Sequence, residues 1–355
     1  MRNQKVLVFV DWYLPGYKGG GITTSCAALI QRLDGYFDFS IVTRDHDYRS
    51  NAPYPNIESN KWVQLTEHTR IKYLSHSRLK PIEIYRQIKS DEYDSVYVNS
   101  FFSFYFSILP LLLVKLGFIK TRVIIAPMGM LNPVALGFKW FKKALFISIS
   151  KLGGLYKNIC WHAASAGEER DIKQLFPKAK IIVASYVSNS KHVEYVQKIK
   201  QPGTLNLVYI SRINHEKNLL SAIEMLQQIS IEADIRFDIY GPVEDLPYWK
   251  KCKNEIKKLP KIISCNYCGE LIQADVIETF QKYHVLLLPS LTENFGQIIP
   301  EALIASTPVI ISNRTPWSMI SPSNAGWVFP LNDKDRKSTR LNSSHVSESR
   351  MPSSA

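Results

Sequence analysis

The sequence predicts an α/β protein of two Rossmann-like domains, each a parallel β-sheet wrapped by helices. Short apolar runs alternate with helix-length segments along most of the chain, which is the pattern of parallel sheets. The alternation is interrupted at the polar stretch 186–204, and 355 residues are more than one core usually serves. We therefore predict an N-terminal domain at residues 1–187, a linker, and a C-terminal domain at residues 204–333.

The N-terminal domain opens with a strand at residues 5–11, a glycine-rich turn and a helix at residues 23–33. The turn is neither a G-x-G-x-x-G fingerprint nor a P-loop, which disfavours a dinucleotide or ATP site. Gly19 and Gly20 can let the backbone approach a ligand closely, although a flexible loop explains them equally well. Further strands are predicted at residues 38–43, 71–74, 95–99, 121–126 and 158–163.

Two stretches of this domain invite a functional interpretation but have a structural one. The uncharged run 95–114 is long enough to span a bilayer, but its polar residues favour a buried strand and then a helix at residues 102–116. Ser165 and Glu168 have the spacing of a capping box, which explains both without a catalytic role. Residues 1–10 lack the apolar length of a secretory signal, so we expect a cytosolic protein.

The net charge of +13 is concentrated in the N-terminal half. Residues 1–190 hold 25 Lys and Arg against 14 Asp and Glu, and no acidic residue lies between Asp94 and Glu168. A basic face suits anionic lipid, a phosphate-bearing acceptor or nucleic acid, although a solvated face needs no partner. The aromatic and basic stretch 139–146 favours a membrane surface. Nucleic acid is disfavoured because no reader motif is present.

Two motifs suggest a metal or redox site without completing one. Cys265-x-x-Cys268 has no second pair of Cys or His, and five scattered cysteines do not form a disulfide framework. Asp45 and Asp47 form a D-x-D triplet in a polar loop, which is a weak metal signal by itself. We therefore expect no metal.

The C-terminal domain repeats the alternation and contains the central stretch of the chain, residues 286–311. Its predicted strands lie at residues 206–211, 235–240, 261–265 and 285–288, with helices at 218–229, 247–259 and 273–281. In the central stretch an apolar run is followed by a turn, a short helix and a second apolar run. This is a βαβ unit, and the loop after its first strand is where such units bind ligands.

Two carboxylates and two cations lie where strands of this domain end. Glu293 and Glu301 stand before and inside the short helix, so they can hold two parts of one ligand. Arg212 and Lys217 flank a strand-to-helix turn, so both can converge on one anion. A helix that starts near Gly296 would add amides and the positive end of its dipole. We interpret the set as a nucleotide-sugar site whose diphosphate needs no metal.

These residues resemble the retaining glycosyltransferases of family four. The resemblance rests on SRINHEKN at residues 211–218 and ENFGQIIPE at 293–301, the second followed by TPVI. It extends to Gly19-Gly20, to APMGMLNP at residues 126–133 and to HAAS followed by Glu168. It covers about residues 4–332 and implies the GT-B fold, two Rossmann-like domains facing across a cleft.

The resemblance assigns roles to these residues. In that family the two glutamates and the loop between them hold the donor sugar nucleotide, and cations neutralise the departing diphosphate. The implied catalytic residues are Arg212, Lys217 and Glu293. The implied donor-binding residues are Gly19, Gly20, Asn294, Phe295, Gly296, Gln297 and Glu301. Retention would resemble the family's front-face mechanism, in which the departing phosphate helps to deprotonate the acceptor, with no cofactor.

The chain departs from the family pattern at two places. Many members carry His or Arg where this chain has Met128, and His162 is the nearest alternative for an acceptor or sugar contact. Members also continue into C-terminal helices, whereas residues 337–355 are rich in Ser, so we expect a truncated chain with a disordered, non-native tail. A second hypothesis is therefore a nucleotide-sugar-binding or scaffold protein without turnover.

The sequence thus predicts a metal-independent, retaining glycosyltransferase. Its donor would be a nucleoside-diphosphate sugar, and its acceptor a lipid-linked molecule or saccharide in surface polysaccharide or lipopolysaccharide assembly. We expect a cytoplasmic protein bound peripherally to the anionic inner face of the cell membrane.

Overall fold

Each half of the chain is built on its own β-sheet. The computed structural model describes residues 3–137, 139–187, 201–230 and 233–331. The chain divides into two units, Met1–Asn189 and Ser190–Ala355, and this division falls inside the predicted linker. Most of that linker and the predicted tail lie outside the described residues.

The N-terminal unit holds an eight-stranded sheet. Its strands are β1 Gln4–Phe9, β2 Phe37–Arg44, β3 Trp62–Gln64, β4 Thr69–Leu74, β5 Ser95–Val98, β6 Arg122–Ile125, β7 Cys160–Ala163 and β8 Lys180–Val183. They lie in the order β3-β4-β2-β1-β5-β6-β7-β8, and only β3 pairs antiparallel with its neighbour. The helices are α1 Gly21–Leu33, α2 Pro81–Lys89, α3 Leu109–Lys115, α4 Pro133–Gly137, α5 Trp140–Leu152 and α6 Ala166–Leu175.

Alternate residues of β1 supply two separate cores, as the two-residue period of a strand requires. Val6 and Val8 pack with Cys26 and Ile30 of α1 on one face of the sheet. Leu7 and Phe9 belong to a second core, on the other face, that includes buried residues of α2, α3, α5 and α6. A strand covered on both faces reads as a continuous apolar run, which is why the sequence predicts β1 well.

The helix predicted at residues 102–116 is not continuous. A wide helical turn, Phe104–Ile108, precedes α3, and the amide of Ile108 donates to Ser103 O, five residues back. Pro110 lies at the start of α3, where its missing N–H would interrupt a regular helix. The segment is a strand followed by a helical region, as predicted. Across the described part of the chain, every helix is too short or too polar to cross a membrane.

The C-terminal unit holds a six-stranded, wholly parallel sheet. Its strands are β9 Thr204–Ile210, β10 Asp234–Tyr240, β11 Ile263–Tyr267, β12 Val285–Leu288, β13 Val309–Ser312 and β14 Gly326–Phe329. Its helices are α7 Leu219–Gln227, α8 Leu246–Ile256, α9 Val276–Gln281 and α10 Ile298–Ile304. The order is β11-β10-β9-β12-β13-β14, so the chain winds one way from β9 and the other way from β12. Ligands of open parallel sheets bind at such a reversal, beyond the carboxyl ends of the two strands.

The backbone at the end of β9 packs directly against a glycine that follows β10. Gly241 has φ +135°, and a Cβ there would lie 1.9 Å from Ser211 O. Its amide donates to Gly269 O at 2.8 Å, and Ser211 N donates to Tyr240 O at 3.1 Å. The path of the chain into Arg212 therefore depends on a residue without a side chain at position 241.

We expect Gly241→Ala to lower the free energy of unfolding by about 2–4 kcal/mol, because the new methyl group must displace backbone. Gly137→Ala is the matched control, since Gly137 ends α4 with no atom within 4 Å of a built Cβ. Denaturant unfolding followed by circular dichroism measures both variants. Equal midpoints for Gly241→Ala and the wild type would contradict the close approach.

Candidate active site

Two loops meet at the reversal point of the C-terminal sheet. One follows β9 at residues 211–218, and the other follows β12 at residues 289–297. Leu291 N donates to Glu216 O at 2.9 Å, and Asn218 Nδ2 donates to Pro289 O at 2.9 Å. One backbone bond and one side-chain amide thus join the loops, independently of the charged side chains that they carry.

Lys217 and Glu293 form an ion pair across these loops. Lys217 Nζ lies 2.7 Å from Glu293 Oε1, and their side chains are only 12% and 7% exposed. Ser290 Oγ donates to the same oxygen at 2.9 Å. Asn214 Oδ1 accepts from Lys217 N at 3.0 Å and so fixes the short 3₁₀ turn from which the lysine projects. The sequence-predicted cation and carboxylate therefore lie together.

Arg212 lies near this pair but has a partner that the sequence did not predict. Its Nη1 is 3.3 Å from Oε1 and 3.2 Å from Oε2 of Glu244, and Oε2 also accepts from Asn214 Nδ2 at 2.8 Å. Burial disfavours the charge of Arg212, but Glu244, Glu216 and Glu293 outweigh it and raise the pKa of the guanidinium above its ordinary value. Three carboxylates thus compensate the positive charge of this arginine.

The loop between the two glutamates is held by the segment that follows β13. Glu293 N donates to Arg314 O at 3.2 Å, and the Trp317 indole N–H donates to Phe295 O. The rings of Phe295 and Trp317 lie 5.3 Å apart. Gly296 has φ +75°, a conformation that glycine adopts without strain. No motif in the sequence indicates that Arg314 and Trp317 support this loop.

Two further predicted donor contacts, Asn294 and Gln297, lie in this loop. Asn294 is half-buried within it, and Gln297 is buried just before α10. The helix begins at Ile298, two residues after the predicted start near Gly296.

Glu301 is a buried carboxyl on α10 with an altered proton affinity. Its side chain is 6% exposed and accepts from Gln273 Nε2 at 2.8 Å. Burial raises the pKa of Glu301 to about 7, and the hydrogen bond from Gln273 only partly offsets this effect. Near neutral pH the group can therefore exist in either protonation state.

The predicted glycine turn of the N-terminal unit is shaped by Asp47. Oδ2 of Asp47 accepts from the amides of Tyr17 and Lys18 at 3.0 and 3.2 Å. Gly20 then enters α1 with φ 63° and ψ −143°, a conformation open to glycine alone. A Cβ on Gly19 would meet Thr23 Oγ1 at 2.4 Å.

The two carboxylates of the D-x-D triplet have separate tasks. Asp47 holds the glycine turn, while Asp45 accepts from Ser59 Oγ at 2.8 Å and contacts His46 Nδ1 at 2.9 Å. Within the described ranges, no three His, Cys, Asp or Glu side chains are grouped so as to hold a metal ion.

His162 lies inside β7 rather than in a loop. Its Nε2 donates to Ala184 O at 2.7 Å, so Nδ1, which lies 2.8 Å from the Tyr97 hydroxyl, accepts from it in the neutral ring. Burial lowers the pKa of His162, which favours that neutral form. It lines a groove of about 1200 Å³ along β1, β5, β6 and β7 that contains none of the other predicted site residues. Both ring nitrogens thus serve contacts within the unit.

Met128 lies in a turn fixed by Glu168. Met128 has φ 57°, and the amide of Gly129 donates to Glu168 Oε1 at 2.7 Å. Oε2 accepts from Ala164 N at 2.8 Å, while Ser165 Oγ accepts from Glu168 N at 3.2 Å. Half of the predicted capping box is therefore present. The glutamate does not reach back to the Ser165 amide, because it instead bridges the turns after β6 and β7.

Comparisons with known proteins agree with this architecture. Residues 194–344 match the family model described as glycosyl transferases group 1. The structure is similar to sucrose-phosphate synthase from Thermosynechococcus elongatus, with TM-score 0.66 at 14% identity, covering 96% of this chain and 89% of that one. Anabaena HepE in complex with UDP-glucose gives 0.65 at 14%, with the same coverage. The lipopolysaccharide outer core galactosyltransferase WaaB gives 0.59 at 17%, again with 96% and 89% covered.

No curated protein matches the sequence. The structural similarities show that the chain has the GT-B fold, which confirms the predicted fold class.

We expect the raised pKa of Glu301 to make the protein less stable as pH rises from 4.5 to 7. Below pH 4.5 the group is protonated in both states; above it the unfolded chain ionises first, and the folded group follows near 7. The free energy of unfolding should fall by up to roughly 3 kcal/mol over that window. Glu301→Gln should flatten this part of the stability profile, measured by urea unfolding at several pH values.

Glu278→Gln is the control for this experiment, because Glu278 is an exposed carboxylate of the same unit paired with Lys282 at 2.8 Å. The expectation is wrong if Glu301→Gln and Glu278→Gln follow the same pH profile as the wild type.

Proposed function

We propose that the protein is a glycosyltransferase of family four that moves a sugar from a nucleoside-diphosphate sugar to an acceptor with retention. The observation that carries the proposal is the Lys217–Glu293 ion pair at the reversal point of the C-terminal sheet, with Arg212 beside it. The match to the glycosyl transferases group 1 model includes both loops of this site.

In this proposal the diphosphate binds to the two cations. Arg212 offers a planar pair of donors, and Lys217 offers a point charge. Each now neutralises a carboxylate, so the phosphates would share or replace Glu244 and Glu293 as partners. Glu293 and the backbone of residues 294–297 would contact the sugar and its phosphate, and Glu301 would accept hydrogen bonds from the ribose hydroxyls. Gly19 and Gly20 remain proposed donor contacts.

The chemistry requires charge to be stabilised on the leaving group. The bond between the sugar C1 and the β-phosphate oxygen breaks, and the acceptor oxygen bonds to C1 on the same face. The acceptor proton passes to the departing phosphate, so neither a protein nucleophile nor a metal enters the step. Cations fixed in advance beside the phosphate lower the barrier, because they need not reorganise as its charge develops.

The acceptor is proposed to be lipid-linked or a saccharide. WaaB is a lipopolysaccharide outer core galactosyltransferase, and its similarity supports a role in surface polysaccharide or lipopolysaccharide assembly. A nucleotide-sugar-binding protein without turnover is the competing proposal, favoured by Met128 in a turn where many relatives place His or Arg.

We expect Lys217→Met to lower kcat for donor turnover by about 100-fold, because the leaving group loses a fixed cation. The assay follows nucleoside-diphosphate release from a panel of UDP- and GDP-sugars, with water or saccharides as acceptors. Lys282→Met is the matched control, since Lys282 forms an exposed ion pair in the same unit. A thermal melt accompanies each variant, because removing one partner of a buried pair costs about 3–5 kcal/mol.

Two outcomes would contradict the catalytic proposal. If the protein binds a donor but releases no nucleoside diphosphate under any condition, the hypothesis of a nucleotide-sugar-binding protein without turnover is favoured. Equal turnover by Lys217→Met and the wild type would show that Lys217 does not take part in the reaction.

The proposed ribose contact also predicts a pH dependence of donor binding. Ionised Glu301 accepts hydrogen bonds from both hydroxyls better than the acid does, and its pKa is about 7. Donor affinity of the wild type should therefore rise between about pH 6 and 8. Glu301→Gln should bind more weakly and without that rise, measured by calorimetric titration with UDP. A pH profile that Glu301→Gln shares would show that another group titrates.

A further inference from the structure

Helix α5 has a buried face and an exposed face, and the exposed face is apolar. Ile147 and Ser150 are buried on the inward side. Outward, Phe141, Leu145, Ile149 and Leu152 are 65%, 52%, 60% and 91% exposed. Their spacing of four, four and three residues aligns them in one stripe along the helix. A surface helix ordinarily turns charged and polar residues to this side, so the stripe requires an explanation.

Lysines flank this stripe. At 3.6 residues per turn, Lys142 lies directly beside it on one side. Lys151 lies farther round on the other side, exposed, with its Nζ 5.4 Å from the centre of the Phe176 ring. Lys139 precedes the helix and Lys157 follows it. No Asp or Glu occurs between Asp94 and Glu168, so the sequence around the helix brings no compensating charge.

We propose that the exposed face of α5 binds a membrane that contains anionic lipid, with the stripe inserted at the interface. The helix Trp140–Leu152 has 13 residues, whereas a span needs about 20, so it would lie in the plane of the bilayer. The stripe enters the boundary between headgroups and acyl chains, and the lysines reach lipid phosphates.

The charge pattern favours a membrane over a protein partner of the same shape. A second copy of this chain docking face to face would bring the lysines of both copies together, which is repulsive. An anionic bilayer offers an apolar interior for the stripe and negatively charged headgroups for the lysines. It does so for a single helix, without the complementary surface that a protein partner would need. The proposal is independent of the sugar-transfer reaction, because vesicle binding requires neither donor nor acceptor.

The test is flotation of the full chain with vesicles of phosphatidylcholine, alone or mixed with phosphatidylglycerol, at low and high salt. The wild type should bind the anionic vesicles at low salt and lose binding as salt increases. Leu145→Gln/Ile149→Gln should reduce the partition coefficient by about tenfold or more. Lys142→Gln/Lys151→Gln should reduce it by about fivefold for each lysine, at low salt only.

Leu246→Gln is the matched control, since Leu246 is 71% exposed in the C-terminal unit and should not change binding. All replaced side chains are exposed, and near-UV circular dichroism verifies that each variant is folded. Equal binding to neutral vesicles, no binding by the wild type, or unchanged binding by Leu145→Gln/Ile149→Gln overturns the proposal. If sedimentation without lipid shows a dimer that this double variant dissociates, and vesicles bind neither protein, the stripe is instead a contact between copies.

Discussion

The adjacency of β9 and β12 is the constraint on which the candidate site depends. These parallel neighbours carry loops that lead into helices on opposite sides of the sheet, so their carboxyl ends open a crevice. The Lys217–Glu293 ion pair joins the two loops that follow these strands. Because both groups are nearly buried, each needs the other or a charged ligand, and either one alone would be costly. Arg212 and α10 are positioned from the same two strand ends.

The strands buried on both faces could be predicted from the sequence, but three of the four edge strands could not; the fourth, β11, was predicted at residues 261–265. β1 and β12 are continuous apolar runs because helices cover both sides of the sheet. The pattern does not predict β3, β8 or β14, which are short edge strands of three or four residues. An edge strand is half exposed and mixed in composition, so its sequence resembles that of a loop.

At the candidate site, the sequence indicated the charged residues at the strand ends. It did not indicate the side chains that form hydrogen bonds or ion pairs with them. Glu244 reaches Arg212 from 32 residues away, and Gln273 reaches Glu301 from 28. The first contact joins the segments after the neighbouring strands β9 and β10, and the second joins a 3₁₀ turn to α10. Both depend on how distant segments pack, which no local pattern records. Asp47 and Glu168 show the same limit, because each accepts backbone amides from a turn distant in sequence. A motif can therefore identify the carboxylate without identifying its task.

The pairing of the site's cations affects how ions and substrates approach the molecule. Arg212 and Lys217 each lie within hydrogen-bonding distance of a carboxylate, so their fields largely cancel beyond a Debye length. In the proposed function, a donor would meet cations that are already paired and feel their charge only on contact, after exchanging partners with Glu244 and Glu293. Its capture should depend little on ionic strength, in contrast to a surface whose charge is not compensated nearby. Such a site gains selectivity, because passing polyanions are not drawn towards it.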